Sequence, residues 1–243
     1  MTPPTMLEAD FAVARRSFDV AAQLSLAPGE RLSLFGPSGA GKTTCLEAIA
    51  GTAPLRTGQV HLDGLLVNTA KAKRPRRGAL VEQPAELRHR GVAVIRQPTT
   101  LFPHLSVRKN VTYGLGARAH SRGGALEELL ERVGLGDLAW AMPDALSGGQ
   151  RQRACLARAI ARPFRALLLD EPFSAVDATS RAMLRTIAVE AIRREEAVAV
   201  LVTHDLGEAQ AFGHRIGIME NGRILQLGGT EQLVRQPATL RVA

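Results

Sequence analysis

Two cysteines, one tryptophan and one tyrosine are all that 243 residues hold of these types. So few thiols leave nothing to build a disulfide framework from. Cys45 and Cys155 each fall in a helical pattern among small apolar neighbours, where reduced, buried thiols are expected. Long apolar runs are also missing. The longest, ALLL at 166–169 and AVAVLV at 197–202, fall far short of the roughly 20 residues that cross a bilayer, so no membrane span is expected. The opening MTPPTMLEADF has no basic patch followed by an apolar segment, so a secretory leader is not indicated and a cytoplasmic location is expected. Repeats and low-complexity tracts are absent, and because LVRQPATLRVA stops just after a helix-like segment, no further domain is expected.

What is present is a 45% hydrophobic chain, enough to core one large domain or one domain with an inserted subdomain. Its net charge of +8 points to an anionic partner. The densest basic run, KAKRPRR at 71–77, has no aromatic residues interleaved with it, which argues against a base-stacking nucleic-acid surface. It lies beside prolines between two strand patterns and reads as a solvated loop; anionic lipid beside a membrane partner is a second reading.

Four short apolar runs, RLSLF (31–35), VAVI (92–95), ALLL (166–169) and AVAVLV (197–202), read as strands buried on both faces, the habit of a parallel sheet covered by helices. Helical patterns follow three of them, at 41–51 closed by Gly51, at 180–197 behind cap candidates Asp177 and Thr179, and at 206–212. Hairpins are expected at 59–68, turning on Asp63-Gly64, and at 215–227, turning on Asn221-Gly222. They suggest a small antiparallel sheet near the start and a closing ribbon near the end. Between 98 and 145 only helical patterns occur: Ser106 can cap VRKNVTYGL, and ALEELLERVGL (125–135) is amphipathic. The expectation is an α/β core, residues 1–97 and 146–243, with an inserted helical subdomain at 98–145.

GPSGAGKT at 36–43 fits G-x-x-x-x-G-K-[ST] after one strand and at the mouth of a helix. Gly36, Gly39 and Gly41 let successive amides point at phosphate oxygens, and the helix N-terminus adds its dipole. Lys42 would reach the β- and γ-phosphates, and Thr43 would place its hydroxyl on magnesium. A magnesium nucleotide also needs a carboxylate nearby, and ALLLDEPF supplies Asp170 and Glu171 at the end of a buried strand. Asp170 would hold the metal through water, and Glu171 would take a proton from the attacking water. His204, in VLVTHD, ends another buried strand at the same edge. Gln97 closes VAVIRQ, where an amide can ligate magnesium, position water and couple ligand state to the inserted helices.

Taken in order, GPSGAGKTT, IRQPTTLFPHLSV, LSGGQRQR, LLLDEPFSAVD and VTHD resemble the nucleotide-binding subunit of an ABC transporter over about residues 7–236. The resemblance implies a P-loop NTPase of RecA-like fold: a mainly parallel core sheet flanked by helices, a small antiparallel β subdomain and the helical insertion. It implies that Gly36, Pro37, Ser38, Gly39, Ala40, Gly41, Lys42, Thr43 and Thr44 are the Walker A loop. Gln97 is then the Q-loop, Ser147, Gly148, Gly149 and Gln150 the signature, Asp177 the D-loop and His204 the switch histidine. ATP and Mg2+ are the implied cofactors. Hydrolysis is expected at two head-to-tail sites in a homodimer, each signature closing over nucleotide held by the partner's Lys42. Transmembrane permease subunits and a periplasmic or extracellular substrate-binding protein are the implied partners, with no nucleic acid, at the cytoplasmic face of the membrane.

Within the family, LFPHLSVRKNV resembles binding-protein-dependent importers, and the N-terminal half is most similar to molybdate and related oxyanion importers. Iron(III), polyamines, thiamine or sugars are the alternative substrates. Where such proteins place an aromatic residue against adenine, this chain has AVARRSF, leaving Phe18 or an arginine plane; Phe18 alternates with Val20 and Ala22 and is expected in the core. Many of these importers carry a C-terminal β-rich regulatory domain, either lacking or removed here. Two other classes compete. A soluble ABC-type ATPase acting on nucleic acid or ribosomes would add coiled coils or a second nucleotide domain, and LSGGQRQR argues against a small-molecule phosphotransferase.

Overall fold

The computed structural model describes residues 5–70, 91–98, 100–115 and 123–235. The basic run at 71–77 and the chain end at 236–243 lie outside these residues. Ten strands form one mixed sheet: β1 Leu7–Val13, β2 Val20–Leu26, β3 Arg31–Phe35, β4 Thr57–Leu62, β5 Leu65–Thr69, β6 Val92–Ile95, β7 Ala166–Asp170, β8 Val198–Thr203, β9 Arg215–Glu220 and β10 Arg223–Gly228. Their spatial order is β5-β4-β1-β2-β10-β9-β3-β8-β7-β6.

β9, β3, β8, β7 and β6 pair in parallel, in keeping with the mainly apolar runs of β3, β7 and β8, but β6 lies at the sheet edge and buries only alternate residues rather than both faces as expected. Alternate residues of those runs serve two different cores. Ala166, Leu168, Val198 and Val200 pack with α1 (Lys42–Ala50), while Leu167, Leu169, Ala199 and Leu201 pack with α4 (Gly148–Ile160) and α5 (Ala178–Arg194). Each fully buried Leu or Val contributes about 1.5–3 kcal/mol of transfer free energy. By contrast β1 and β2 alternate buried and exposed residues and pair antiparallel, one face packed and one wet.

Both hairpins turn where expected. Asp63-Gly64 has φ 49 and 73, and Asn221-Gly222 has φ 48 and 77, the left-handed pairs that a two-residue turn requires. The closing ribbon does not stand apart from the antiparallel sheet, however. β9 runs beside β3, and β10 meets β2 at Arg223 and Ala21, so the ribbon splices the two halves into one sheet. Sequence periodicity reports which face of a strand is buried, and it carries no information on which strand lies next to it.

The helical stretch comprises α2 (Val107–Thr112), α3 (Gly123–Arg132) and a 3₁₀ turn at Pro143–Ala145, with no strand between Ile95 and Ala166 among the described residues. Ser106 caps α2 by accepting from Lys109 N at 3.4 Å. α2 stops at Thr112, short of the expected VRKNVTYGL, and residues 113–115 form a turn. Val107, Val111, Leu126 and Leu130 join the cluster around α4 and α5, so this stretch shares a core with the sheet rather than owning one. Two short helices, α6 (Leu206–Phe212) and α7 (Thr230–Arg235), complete the order. Both cysteines are free and buried, and burial pushes the Cys45 thiol up to about 12.

Candidate functional site

β3 ends at Phe35, and the chain turns back through Gly36–Gly41 before α1 begins. Gly39 and Gly41 take φ 82 and 102, open to glycine without strain. At Gly36 the constraint is space, because a Cβ there would overlap the Met219 carbonyl oxygen of β9. This close approach sets the loop over the sheet edge at the N-terminus of α1, where unpaired amides and the helix dipole favour an anion. Lys42 is only 5% exposed and donates from Nζ to the Gly36 and Pro37 carbonyls at 2.7 and 2.9 Å. Burial lowers its pKa, and the Glu171 and Asp170 carboxylates oppose that shift.

The next residue faces the acids. Thr43 Oγ1 lies 3.0 and 3.2 Å from the two carboxylate oxygens of Asp170, the last residue of β7. Burial raises the Asp170 carboxyl above its ordinary range, and Glu171 raises it further, against the hydrogen bond from Thr43 and the Lys42 charge. A hydroxyl and a hard carboxylate meeting beside a buried ammonium suit a cation bound through oxygen, as magnesium is. Glu171 has φ 45, a left-handed conformation costing a non-glycine residue about 1–2 kcal/mol. Its amide donates to Val202 O at 2.9 Å, which holds the turn in place. Its Oε1 is 3.1 Å from Nδ1 of His204, which follows the neighbouring strand β8. The buried strands β7 and β8 thus end side by side and bring Asp170, Glu171 and His204 to one edge.

An open cleft of about 600 Å³ is lined by Lys42, Thr43, Gln97, Asp170 and Glu171 and by Arg15, Arg16, Ser17 and Phe18 of the β1–β2 turn. Ser38, Gly39, Gly41 and Thr44 also border it. Ser147, Gly148, Gly149, Gln150 and Asp177 do not. Ser147 caps α4, accepting from Gln150 N at 3.2 Å while Gln150 Oε1 accepts from Ser147 N at 2.8 Å. The glycines pack against Ala175 and Val176. Asp177 caps α5 by accepting from Ser180 N at 2.9 Å, and that hydrogen bonding lowers its pKa. Phe18 is half-buried: it packs against the core around α1, borders the cleft as well, and precedes β2 rather than lying in it.

Gln152 was not singled out from the sequence. Its buried amide donates to Glu171 O at 3.3 Å and accepts from Ala175 N at 3.0 Å, tying α4 to the backbone of the Glu171 turn. The signal was a polar residue at the head of a buried helical stripe, with Cys155, Leu156 and Ala159 at the following positions.

The sequence profile described as ABC transporter matches residues 21–174. Among curated relatives, the Fe(3+) ions import ATP-binding protein FbpC of Haemophilus influenzae (strain 86-028NP) is 39% identical over 222 residues, 90% of this chain and 60% of that protein. FbpC of Serratia marcescens is 38% identical over 215 residues, 88% of this chain and 59% of its own length. The sn-glycerol-3-phosphate import ATP-binding protein UgpC 2 of Agrobacterium fabrum is 37% identical over 223 residues, 90% and 56% respectively. The chain therefore spans about 60% of the length of the FbpC relatives it matches. Their names specify iron(III) and glycerol phosphate, and the expectation of molybdate finds no support among them. A phosphate cradle at the end of β3, acids at the end of β7, a mixed α/β sheet and a profile match over most of the chain agree: this protein belongs to the ABC transporter family.

Proposed function

We propose that the chain is the ATP-binding subunit of an importer and hydrolyses ATP at the edge formed by β3, β7 and β8. The observation that carries this reading is the meeting of Thr43 with Asp170 and of Glu171 with His204 beside the buried Lys42. Lys42 has two carbonyl bonds to exchange for phosphate oxygens, and the amides of Gly36 to Thr44, including Pro37, Ser38 and Ala40 in the turn, form the rest of the cradle. Thr43, Asp170 and Gln97 would hold the magnesium ion of the nucleotide, which supplies charge neutralisation on the phosphates. Glu171 accepts a proton from water as that oxygen attacks the γ-phosphorus and ADP leaves. His204, 3.1 Å from Glu171, orients that carboxylate.

The signature residues Ser147 to Gln150 and Asp177 lie off this chain's own cleft, which favours a head-to-tail homodimer in which each copy closes the other's site. We assign residues 1–97 and 146–243 to the ATP-binding core and 98–145 to the subdomain that meets a permease. Among the described residues no helix is long and apolar enough to cross a membrane. The importer reading gives the chain permease subunits as partners, with a substrate-binding protein acting through them. On this reading the chain works at the cytoplasmic face of the membrane. Relatives named for Fe(3+) and sn-glycerol-3-phosphate import support iron(III) or a small organic solute such as a polyol phosphate as the substrate class.

Glu171→Gln tests the assignment. It removes the proton acceptor while keeping side-chain shape, so ATP turnover should fall by about 10²-fold or more. ATP binding should persist, and the ATP-loaded variant should elute as a dimer. Turnover within a factor of about three of the parent would refute the role of Glu171, and a strict monomer at high concentration would refute the paired site.

A further inference from the structure

His204 is an exposed side chain that meets Glu171 from the short turn His204-Asp205, between the end of β8 and the start of α6. Both flanks of the turn are fixed. β8 is buried throughout, and α6 docks on β3 through Ala209 and Phe212, whose carbonyls accept from Ser33 Oγ at 2.9 Å and from Arg31 Nε at 2.7 Å. What sets the imidazole is therefore the turn itself.

Asp205 and Glu208 have the spacing of a capping box, in which the carboxylate at the third helical position accepts from the N–H of the cap residue. Half of that box is present, since Asp205 Oδ1 accepts from Glu208 N at 3.0 Å. The other half is diverted. Thr203 Oγ1 takes the Asp205 N–H at 3.1 Å, and the Thr203 hydroxyl hydrogen-bonds the Glu208 carboxylate. Both Thr203 and Glu208 are buried. Burial raises the Glu208 carboxyl above its ordinary range, against the Thr203 hydrogen bond and the charge of Arg181 on α5; Asp205 adds to the rise and His204 counters it. A carboxylate placed on Asp205 N would cap α6 without that desolvation. The buried arrangement does something a cap does not: it ties the last residue of β8 to the first turn of α6, on either side of His204.

We propose that Glu208 is a positioning residue for hydrolysis, holding through Thr203 the turn that keeps His204 against the Glu171 carboxylate. The inference rests on the reading of Glu171 and His204 above and extends it to residues outside the cleft, since Thr203, Asp205 and Glu208 do not line it. A carboxylate or an amide oxygen at position 208 can accept from Thr203, and an apolar side chain of similar size cannot. Displacing a positioned group by about 1 Å costs up to about 10²-fold in rate, whereas nucleotide affinity is set by the cleft residues.

The test is steady-state ATP turnover and equilibrium Mg-ATP binding for the full chain and for Glu208→Leu, Glu208→Gln, Thr203→Val, His204→Ala and the double variant His204→Ala/Glu208→Leu. Glu208→Leu and Thr203→Val should each lower kcat about tenfold while Kd for Mg-ATP stays within about twofold of the parent. Glu208→Gln should recover most of the loss. Because Glu208 acts through His204, adding Glu208→Leu to His204→Ala should cost less than about twofold more. The proposal fails if Glu208→Leu or Thr203→Val matches the parent, if Glu208→Gln is as slow as Glu208→Leu, or if the two losses multiply in the double variant. It also fails if Kd for Mg-ATP rises in step with the fall in kcat, which would make Glu208 a support of the fold. Retained Mg-ATP binding shows in each variant that the cradle is folded. A parent chain without turnover, or a His204→Ala variant as fast as the parent, defeats the reading of Glu171 and His204 itself.

Discussion

Replacing Lys42 with methionine separates ligand binding from folding. The buried ammonium donates to the Gly36 and Pro37 carbonyls at 2.7 and 2.9 Å. Charged hydrogen bonds of this kind contribute about 1.5–3 kcal/mol each. Burial, which holds the Lys42 pKa below its ordinary value, opposes them. Methionine keeps most of the buried volume and removes both effects together, so the ligand-free variant should be within about 1 kcal/mol of the parent in stability. Nucleotide binding responds differently. Truncating a buried charge that pairs with a ligand costs about 2–5 kcal/mol, and 2.7 kcal/mol is about a hundredfold in Kd. With Mg-ATP at about 100 times the parent Kd, ligand stabilisation is about 2.7 kcal/mol in the parent and about 0.4 kcal/mol in the variant. For a chain of this length the difference is roughly 5–9 °C in the ATP-induced rise of Tm. Thermal unfolding monitored over an ATP titration reads both quantities. A variant with the full ATP-induced rise would refute the phosphate role of Lys42. One that loses more than about 3 kcal/mol without ligand would show that Lys42 mainly supports the fold.

Asp170 makes the ligand-free protein sensitive to pH. Burial raises its folded-state pKa, so the folded chain binds more protons there than the unfolded chain does between the two values. Its contribution to stability is fully present below the unfolded value and is lost as pH rises through the folded one. Without magnesium or nucleotide, the Tm of the parent relative to Asp170→Asn should therefore fall as pH is raised from about 4 to neutrality, and a constant difference would contradict this. Gly36→Ala should destabilise by about 1–3 kcal/mol through collision with the Met219 carbonyl, measured by denaturant unfolding; a neutral result would mean the loop can retreat from β9. Gln152→Leu leaves Ala175 N without its side-chain partner and frees the Glu171 turn, so steady-state kinetics should show kcat falling more than KM rises.

Local rules carried much of the fold. The runs that became β7 and β8 were legible because a strand buried on both faces must be largely apolar, whereas β6, expected to be buried on both faces, is an edge strand that buries only alternate residues. Both hairpin turns were legible because few residues tolerate positive φ in succession. Boundaries moved where side chains intervened: α5 begins two residues before the expected stretch because Asp177 reaches Ser180 N and caps it there. The splice of β10 onto β2 was invisible, since strand neighbours are chosen by the packing of distant segments. In the site, glycine spacing and the lysine after it marked the cradle, whereas Gln152 was hidden because its partners are backbone groups 19 and 23 residues away.

By itself the sequence determined which residues could serve a phosphate, because the glycines, the lysine and the adjacent hydroxyls must be consecutive on one turn to present their amides and side chains together. It also determined that the central strands are buried on both faces. Only the tertiary structure decided that Thr43 meets Asp170 across 127 residues and Glu171 meets His204 across 33. It alone decided that Arg15 reaches Thr44 from another strand pair, and that the signature lies off its own chain's cleft. The reason is physical. Contacts within a turn follow from local dihedral preferences, but contacts between strand ends depend on sheet order, which is settled only when the two cores on either side of the sheet are packed at once.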